Sequence, residues 1–192
     1  IEDIGVGFMF APHHHGAMRF AIGPRRELGT RTLFNILGPL TNPAGAPNQV
    51  IGVFAEQFVQ PMAEVLGELG SEHVLVVHSE DGLDEISLAA RTFVAELKDG
   101  AVSTYHVEPE TFGLPRAPLE SIRVETVDQS LATMRGVLAG EPGPARDIVL
   151  MNAGAAIYAA NCSDSLPSGF ERARDVIDSG AAALRPVSYT HL

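Results

Sequence analysis

The sequence predicts an α/β fold with a separate patch of helices near its start. Two continuous apolar runs, Gln49–Ala55 and His73–His78, have the length and composition of buried strands. The amphipathic segment Pro61–Leu69 lies between them and ends at Gly70. Strand, helix and strand at this spacing form a βαβ unit, in which the two strands are parallel and both faces of the sheet are covered.

The segment before the first strand has a helical pattern that glycine and proline interrupt. After a turn, a short apolar piece and a loop rich in Pro and His, Ala17–Ile22 is helix-prone. Arg25–Leu37 carries apolar residues at helical spacing. We expect Gly38-Pro39, followed by Asn42-Pro43, to end this helix, because proline has no N–H to donate and clashes with the preceding turn. These helices do not belong to the sheet.

After the βαβ unit, the sheet is expected to continue with a hairpin. Thr92–Leu97 and Val102–Val107 alternate in character, and the Asp99-Gly100 pair between them favours a tight antiparallel turn. The loop before the hairpin, SEDGLDEIS, follows the second apolar strand. Open α/β sheets bind ligands beyond the carboxyl ends of their strands, so this loop is the first place to look for a site.

The last third of the chain is predicted to be mainly helical. Val127–Leu138 has a helical pattern, and a Gly- and Pro-rich linker leads to a third apolar run, Asp147–Met151. Asn152 is expected to be the N-cap of an Ala-rich helix, Ala155–Ala160, with an anion site as the less favoured interpretation. Phe170–Leu184 is the last predicted helix.

Composition limits the classes of function. The net charge is −11 and Lys98 is the single lysine, which argues against general nucleic-acid binding. An anionic substrate must then be held by local Arg, backbone amides or a bridging cation. Cys162 is the single cysteine and cannot form an internal disulfide, and the sequence has no signal segment or membrane-spanning run. We therefore expect a cytoplasmic protein that does not contact membranes.

Asp84 and Glu85 are the first candidates for a functional site. They are adjacent carboxylates in a Gly-containing loop at a predicted strand end. Mg²⁺ prefers oxygen ligands of this kind, keeps several waters and is often shared with substrate phosphates. A solvated acidic loop gives the same pattern, so the residues alone leave both interpretations open.

The other candidates lie near the start of the chain. Arg25-Arg26 could hold a carboxylate through a bidentate fork, or could be solvated and pair with Glu27 or Glu2. His13-His14-His15 lacks the spacing of helical zinc ligands, which favours a packed loop with at most one His facing a substrate. Gly38-Pro39 could let backbone approach a ligand closely, or could simply end a helix.

Several common motifs are missing from the sequence. It contains no P-loop, no GxGxxG and no GxSxG in a strand-elbow context. The sequence therefore lacks the motifs that usually indicate an ATPase, a dinucleotide-dependent dehydrogenase or a serine hydrolase.

Three segments together resemble one family. FAPHHHGAMRF with PRRELGTRTLFNILGPLTNP, then VLVVHSEDGLDEIS, then MNAGAAIY follow one another as in the anthranilate phosphoribosyltransferase family, and the resemblance covers residues 1 to about 184. Members transfer phosphoribosyl from phosphoribosyl pyrophosphate to the amino group of anthranilate and release pyrophosphate. The resemblance implies a small helical domain beside a large α/β domain with a central, mainly parallel sheet, usually in a homodimer.

The resemblance also implies roles for individual residues. Arg25 would contact the carboxylate of anthranilate, and His15 would lie beside the acceptor pocket. Met18 would also contact substrate, at a position where some relatives carry Tyr. Gly38 and Pro39 would line the channel of the aromatic acceptor, and Asp84 and Glu85 would bind the Mg²⁺ that accompanies the diphosphate. No residue is assigned as a general acid or base.

The chain is expected to be a fragment. It begins with Ile1 in the middle of a pattern, and the family's GTGGD loop and Lys-His-Gly-Asn segment would lie upstream. We therefore expect the 192 residues alone to bind the diphosphate substrate poorly and to be inactive. The expected division is the end of an α/β domain, a helical-domain segment, the α/β phosphoribosyltransferase domain and a non-native tail, at 1–13, 14–45, 46–185 and 186–192.

Two other functions stay open. A pyrimidine nucleoside phosphorylase shares the implied fold and also reacts at ribose C1, although the GLDE and LGPLTNP segments fit it less well. The second is a non-catalytic relative that only binds a ligand or a partner. The presence of Arg25, Asp84 and Glu85 argues against that second function.

Overall fold

The computed structural model describes residues 5–7, 34–42 and 44–184. The chain divides into two compact units, Ile1–Ala46 and Pro47–Leu192. The predicted helix at 17–22 and most of the one at 25–37 lie outside the described residues. The domain boundaries expected from the sequence stay a prediction.

In the first unit, the described helix α1 spans Phe34–Leu40. Pro39 lies inside this helix, so the prediction that Gly38-Pro39 ends it is wrong. The helix ends one residue later, where the backbone N–H and the hydroxyl of Thr41 both donate to the carbonyl of Leu37, at 3.1 and 2.9 Å. A proline in the last turn removes one donor, and Thr41 still closes the helix with two others.

The second unit is built on a four-stranded sheet in the order β1-β2-β3-β4. The strands are β1 (Asn48–Gly52), β2 (His73–Ser79), β3 (Thr92–Lys98) and β4 (Ala101–Val107). β1 and β2 are parallel, whereas β2 pairs with β3, and β3 with β4, in antiparallel register. The predicted α/β class, the parallel pair and the hairpin are confirmed. Among the described strands the sheet is mixed, with one parallel pairing out of three.

Local sequence explains the strands and the hairpin turn. In β2 every side chain is buried except the half-buried His78, as a strand covered on both faces requires. Asp99 and Gly100 connect β3 to β4 with φ of 52° and 75°. Two positive φ values in a two-residue loop match the right-handed twist of the flanking strands, and Asp-Gly tolerates them well.

Helix α2, Val59–Glu68, links β1 to β2 and packs on β2 and β3. It begins two residues before the predicted start, after a short 3-10 turn at Glu56–Phe58. Its buried residues are spaced as one helical face: Val59, Met62, Ala63 and Leu66.

Three helices follow the hairpin: α3 (Val127–Leu138), α4 (Pro144–Ala159) and α5 (Leu166–Asp178). The predicted bounds of α3 are confirmed, and Thr126 caps it by accepting a hydrogen bond from the Gln129 backbone N–H. The apolar run at 147–151 and the Ala-rich segment after it form one continuous helix. Asn152 therefore lies in mid-helix, and its predicted N-cap role is wrong. A short apolar run looks the same in a buried helix and in a strand, which explains the error.

Helices α4 and α5 pack with their backbones in close contact. A Cβ added at Gly154 would lie 2.6 Å from the Phe170 backbone nitrogen, and one at Gly169 would lie 2.3 Å from the Gly154 carbonyl oxygen. Ser165 caps α5, with its hydroxyl 3.2 Å from the Ser168 backbone nitrogen. The last helix thus begins four residues before the predicted Phe170 and ends at Asp178, well before Leu184.

Helices cover both faces of the sheet. Leu75 and Val77 belong to the same buried cluster as residues of α4 and α5, including Met151 and Phe170. The alternate residues of β2 point to the opposite face, on which α2 packs. None of the described helices is both long and apolar enough to cross a membrane.

A buried polar cluster lies at the amino-terminal end of β2. His73, which is 1% exposed, places Nε2 at 3.1 Å from Glu96 Oε1 and Nδ1 at 2.7 Å from Asn161 Oδ1. The Tyr158 hydroxyl donates to the same Glu96 oxygen at 2.7 Å and accepts from Lys98 Nζ at 3.2 Å. These hydrogen bonds satisfy groups that would be costly to bury alone, and they join β2, β3 and α4.

Candidate functional site

Asp84 and Glu85 lie in the loop that connects β2 to β3. This loop leaves the sheet at the carboxyl end of β2, which runs parallel to β1, as the sequence predicts. Both residues are exposed to solvent. The structure therefore gives these carboxylates a position at the sheet edge where open α/β folds bind ligands, and their roles stay a prediction.

Hydrogen bonds within the loop fold it back on itself. The Ser79 backbone N–H donates to the Leu83 carbonyl at 2.9 Å, and Gly82 between them has a φ of 89°. The Asp81 carboxylate accepts from the Leu83 N–H at 3.1 Å and from the Ser87 hydroxyl at 2.5 Å. Asp81 thus stabilises the turn. The next two acidic residues, Asp84 and Glu85, are exposed to solvent.

Asn152 connects α4 to this loop. Its side-chain oxygen accepts a hydrogen bond from the Ile86 N–H at 3.0 Å, and its amide nitrogen donates to the Ile86 carbonyl at 2.9 Å. The same nitrogen lies 3.0 Å from the Ile148 carbonyl, one helical turn earlier. The sequence carries no local signal of this contact, because the two partners are 66 residues apart.

Gly52, the last residue of β1, lies against the other side of the loop. A Cβ at this position would stand 1.7 Å from the Asp84 carbonyl oxygen, a distance that no side chain tolerates. Sequence reasoning did not single out Gly52. The signal was nevertheless present, because a glycine inside a strand pattern often marks a close approach of another backbone.

An apolar cleft of about 400 Å³ adjoins Glu85. Its walls come from the loop, from the segment before α3, and from α3 and α4, and they include Leu83, Glu85, Ile122, Val124, Met134 and Ile148. Partial burial here, followed by the nearby negative charge of Asp84, raises the pKa of Glu85 above its ordinary value. The two adjacent carboxylates repel each other, and a cation bound to both would relieve that repulsion.

The donor set fits a hard divalent cation. Within the described part of the chain, neither Asp84 nor Glu85 forms an ion pair with a basic side chain. The described residues also contain no group of three or more His, Cys, Asp or Glu that could enclose a metal ion. Two carboxylate ligands suit Mg²⁺, which completes its octahedron with waters and substrate phosphates, better than a metal that needs a protein cage.

The remaining predicted site residues belong to the first unit. His15, Met18 and Arg25 lie outside the described residues. Gly38 and Pro39 are half-buried in the last turn of α1. Their predicted contacts with substrate stay predictions.

Comparison with known proteins identifies the family. The profile described as "Glycosyl transferase family, a/b domain" matches residues 1–183 of the chain. The chain belongs to this family. The resemblance found in the sequence is confirmed by named relatives, since the anthranilate phosphoribosyltransferase of Thioalkalivibrio sulfidiphilus is 65% identical over 183 residues. The enzyme of the same name from Methylococcus capsulatus is 64% identical over 182 residues.

The family match does not extend over the whole of these relatives. The aligned region is 95% of this chain but 54% and 53% of the two relatives, so the chain spans about half their length. The crystal structure of anthranilate phosphoribosyltransferase from Thermus thermophilus superposes with a TM-score of 0.91 at 46% identity, over 98% of this chain and 56% of that one. This confirms the glycosyl transferase fold of the described sheet and helices.

A more distant family member has been solved with ligands. The anthranilate phosphoribosyltransferase of Saccharomyces cerevisiae, described as a complex with PRPP and Mg, has a TM-score of 0.78 at 28% identity. It covers 90% of this chain and 50% of its own. A second structure of the yeast enzyme, at 27% identity and a TM-score of 0.82 over 95% of this chain and 53% of its own, is described as a complex with 4-fluoroanthranilate.

Proposed function

We propose that the protein containing this chain is an anthranilate phosphoribosyltransferase. It transfers phosphoribosyl from phosphoribosyl pyrophosphate to the amino group of anthranilate, forms phosphoribosyl-anthranilate and pyrophosphate, and so performs the second step of tryptophan biosynthesis. The observation that carries this proposal is the pair of exposed carboxylates Asp84 and Glu85 at the sheet edge of a chain 65% identical to a relative of that name. Neither forms an ion pair with a basic side chain among the described residues.

The chemistry explains why two carboxylates belong at this edge. Departure of pyrophosphate builds positive charge at ribose C1 and negative charge on the leaving group. When bound, Mg²⁺ supplies positive charge beside the leaving diphosphate. Asp84 and Glu85 would hold the ion through their oxygens. The yeast relative described as a complex with PRPP and Mg supports the choice of Mg²⁺ as that ion. Asp81 has no such role here because it already holds the turn.

The acceptor is assigned to the first unit. Arg25 would fix the carboxylate of anthranilate with a bidentate fork, and Gly38-Pro39 would line the channel beside His15 and Met18. An aromatic amine is mostly neutral near pH 7, so holding the nucleophile in line with C1 contributes more than a strong general base would. The yeast structure described with 4-fluoroanthranilate supports an acceptor of this type. As the family resemblance implies, the full-length protein would act in the cytoplasm as a homodimer.

The test is an anthranilate fluorescence assay on the full-length protein, with Mg²⁺ and phosphoribosyl pyrophosphate. The double variant Asp84→Asn/Glu85→Gln should lose activity by roughly 100-fold or more, because it removes the ligands of the ion beside the leaving diphosphate. Arg25→Ala should lose activity by roughly 100-fold or more, because the acceptor is no longer held in line with C1. Glu80→Gln is the matched control, since Glu80 lies in the same loop but pairs with Arg91. It should keep the parent's rate.

The assay also separates the competing functions. A parent protein that leaves anthranilate unchanged at saturating substrates would refute the transferase proposal. Phosphate-dependent cleavage of a pyrimidine nucleoside would then identify a phosphorylase, and binding without turnover would identify a non-catalytic relative.

A further inference from the structure

We propose that Asn152 is a positioning residue that fixes the path of the loop carrying Asp84 and Glu85. This inference rests on the proposed function, because it gives Asn152 a purpose in presenting the two carboxylates to Mg²⁺. The residue itself lies in α4 and acts through the backbone of Ile86, next to Glu85.

The two hydrogen bonds to Ile86 require an amide side chain. Asn152 accepts from the Ile86 N–H and donates to the Ile86 carbonyl, so one side chain satisfies both polar groups of one peptide residue. A carboxylate could only accept, and an ammonium could only donate. The Ile86 side chain is 0% exposed, so the backbone groups that Asn152 pairs would be costly to leave without partners.

The helix that carries Asn152 is a rigid support. The third hydrogen bond of the amide, to the Ile148 carbonyl, holds the side chain on the surface of its own helix. Two residues later, Gly154 brings the backbone of α4 into contact with the backbone of α5 at Phe170. A site held by packed helices keeps its geometry more accurately than a site built on a loop alone.

The loop is held on both sides of Glu85. On one side, the Asp84 carbonyl lies against the backbone of Gly52 at the end of β1. On the other side, Ile86 is paired with Asn152. The peptide between these two anchors has little freedom, while the carboxylates of Asp84 and Glu85 remain exposed.

The two anchors fix the backbone between Asp84 and Glu85 before a cation binds, although the two carboxylates repel each other. Adjacent ionised carboxylates would spread apart in a free loop, and a cation would have to bring them back at an entropic cost. Because folding has already fixed the backbone, binding of the cation does not have to supply that entropic cost. Partners outside the ligand set typically change metal affinity by about 10–100-fold when they are removed.

The experiment uses the full-length protein with the variants Asn152→Ala and Asn152→Asp. Tyr158→Phe is the matched control, because it removes a buried hydrogen bond, to Glu96, from the same helix without touching the loop. Three quantities are measured for each protein: the hydrogen-exchange rate of the Ile86 amide, the Mg²⁺ concentration for half-maximal transfer, and the thermal midpoint.

We expect Asn152→Ala to speed exchange at Ile86 and to raise the required Mg²⁺ concentration by about tenfold or more, with a smaller effect on the rate at saturating Mg²⁺. Asn152→Asp keeps an acceptor for the Ile86 N–H and should keep exchange there slow, which provides a second variant if the alanine protein does not fold. Tyr158→Phe should lower the thermal midpoint and leave the other two quantities unchanged.

Two results would overturn the inference: unchanged exchange at Ile86 in Asn152→Ala, or an equal rise in the Mg²⁺ requirement for Asn152→Ala and Tyr158→Phe. Failure of the proposed function is a separate result, because a parent without transferase activity has no Mg²⁺ requirement to measure. In that case the hydrogen-exchange rates test the inference. Faster exchange confined to residues 83–87 in Asn152→Ala supports the positioning role, and faster exchange spread over α4 refutes it.

Discussion

The backbone of Gly52 lies against the backbone of Asp84, so that a Cβ at position 52 would stand 1.7 Å from the Asp84 carbonyl oxygen. Residue 52 ends the first strand, and residue 84 belongs to the loop after the second strand. The loop that carries Asp84 and Glu85 thus lies directly against the end of the neighbouring parallel strand. The strand and the loop can be this close only because position 52 has no side chain.

Gly52→Ala should destabilise the protein and displace the loop. The added methyl group overlaps backbone, which cannot move aside as a flexible side chain can, so we expect a loss of roughly 1–3 kcal/mol in the free energy of unfolding. Urea denaturation measures this loss. Gly67→Ala is the control, since its Cβ would meet the Leu97 side chain at 3.2 Å, where a shift of a few tenths of an ångström suffices. Equal stability of the two variants would contradict the prediction.

Gly154→Ala should weaken the packing of α4 on α5, although alanine is the better helix former. Its methyl group would lie 2.6 Å from the Phe170 backbone nitrogen, so the two helices must separate. We expect a net loss of roughly 1–3 kcal/mol in urea unfolding. Gly136→Ala in α3 meets the flexible Glu141 carboxylate and should be neutral or stabilising. The explanation fails if Gly154→Ala unfolds at the same urea concentration as the parent.

The buried pair His73 and Glu96 should matter far more to stability than a surface pair. Glu96→Ala leaves the His73 ring and the Tyr158 hydroxyl without their shared acceptor, and each buried polar group left without a partner costs about 1–3 kcal/mol. Glu80→Ala breaks the exposed pair with Arg91 and should cost about 0–1 kcal/mol. Chemical denaturation of both variants beside the parent checks the contrast, and comparable losses would disprove it.

The tyrosines next to Glu96 should make the protein sensitive to alkali. Burial, and then the negative charge of Glu96, raise the pKa of Tyr105 well above its ordinary value of 10.0, and burial also raises the pKa of Tyr158. In the unfolded chain these tyrosines ionise near pH 10. Their contribution to stability is therefore complete below the ordinary value and is lost as the pH rises above it.

Thermal midpoints measured across this pH range check the sign. The parent should lose stability steadily above pH 10, and Tyr105→Phe should lose less because one titrating group is gone. Tyrosinate absorbance should rise for Tyr105 and Tyr158 only as the protein unfolds. Ionisation of both residues in the folded protein at their ordinary pKa would show that neither is held as the structure indicates.

Much of the fold could be predicted from local sequence. The β2 strand is apolar on both faces, Asp99-Gly100 suits only a few turn types, and α3 has a clear helical period with a capping residue at Thr126. Each of these signals lies within a few residues of the element it describes. The position of Asp84 and Glu85 at the sheet edge followed from the same reasoning, since parallel strands end on one side.

The tertiary structure decided the features that depend on distant partners. Residues 144–159 form one helix because they are buried against the sheet and α5, a context that a five-residue apolar run does not reveal. Pro39 is accommodated in α1 because Thr41 closes the turn beyond it. Asparagine is a residue type favoured at helix N-caps. The side chain of Asn152 nevertheless pairs with Ile86, 66 residues away. Local sequence determines the period and turns of the chain, whereas the partner of a buried polar group is determined only when packing brings distant segments together.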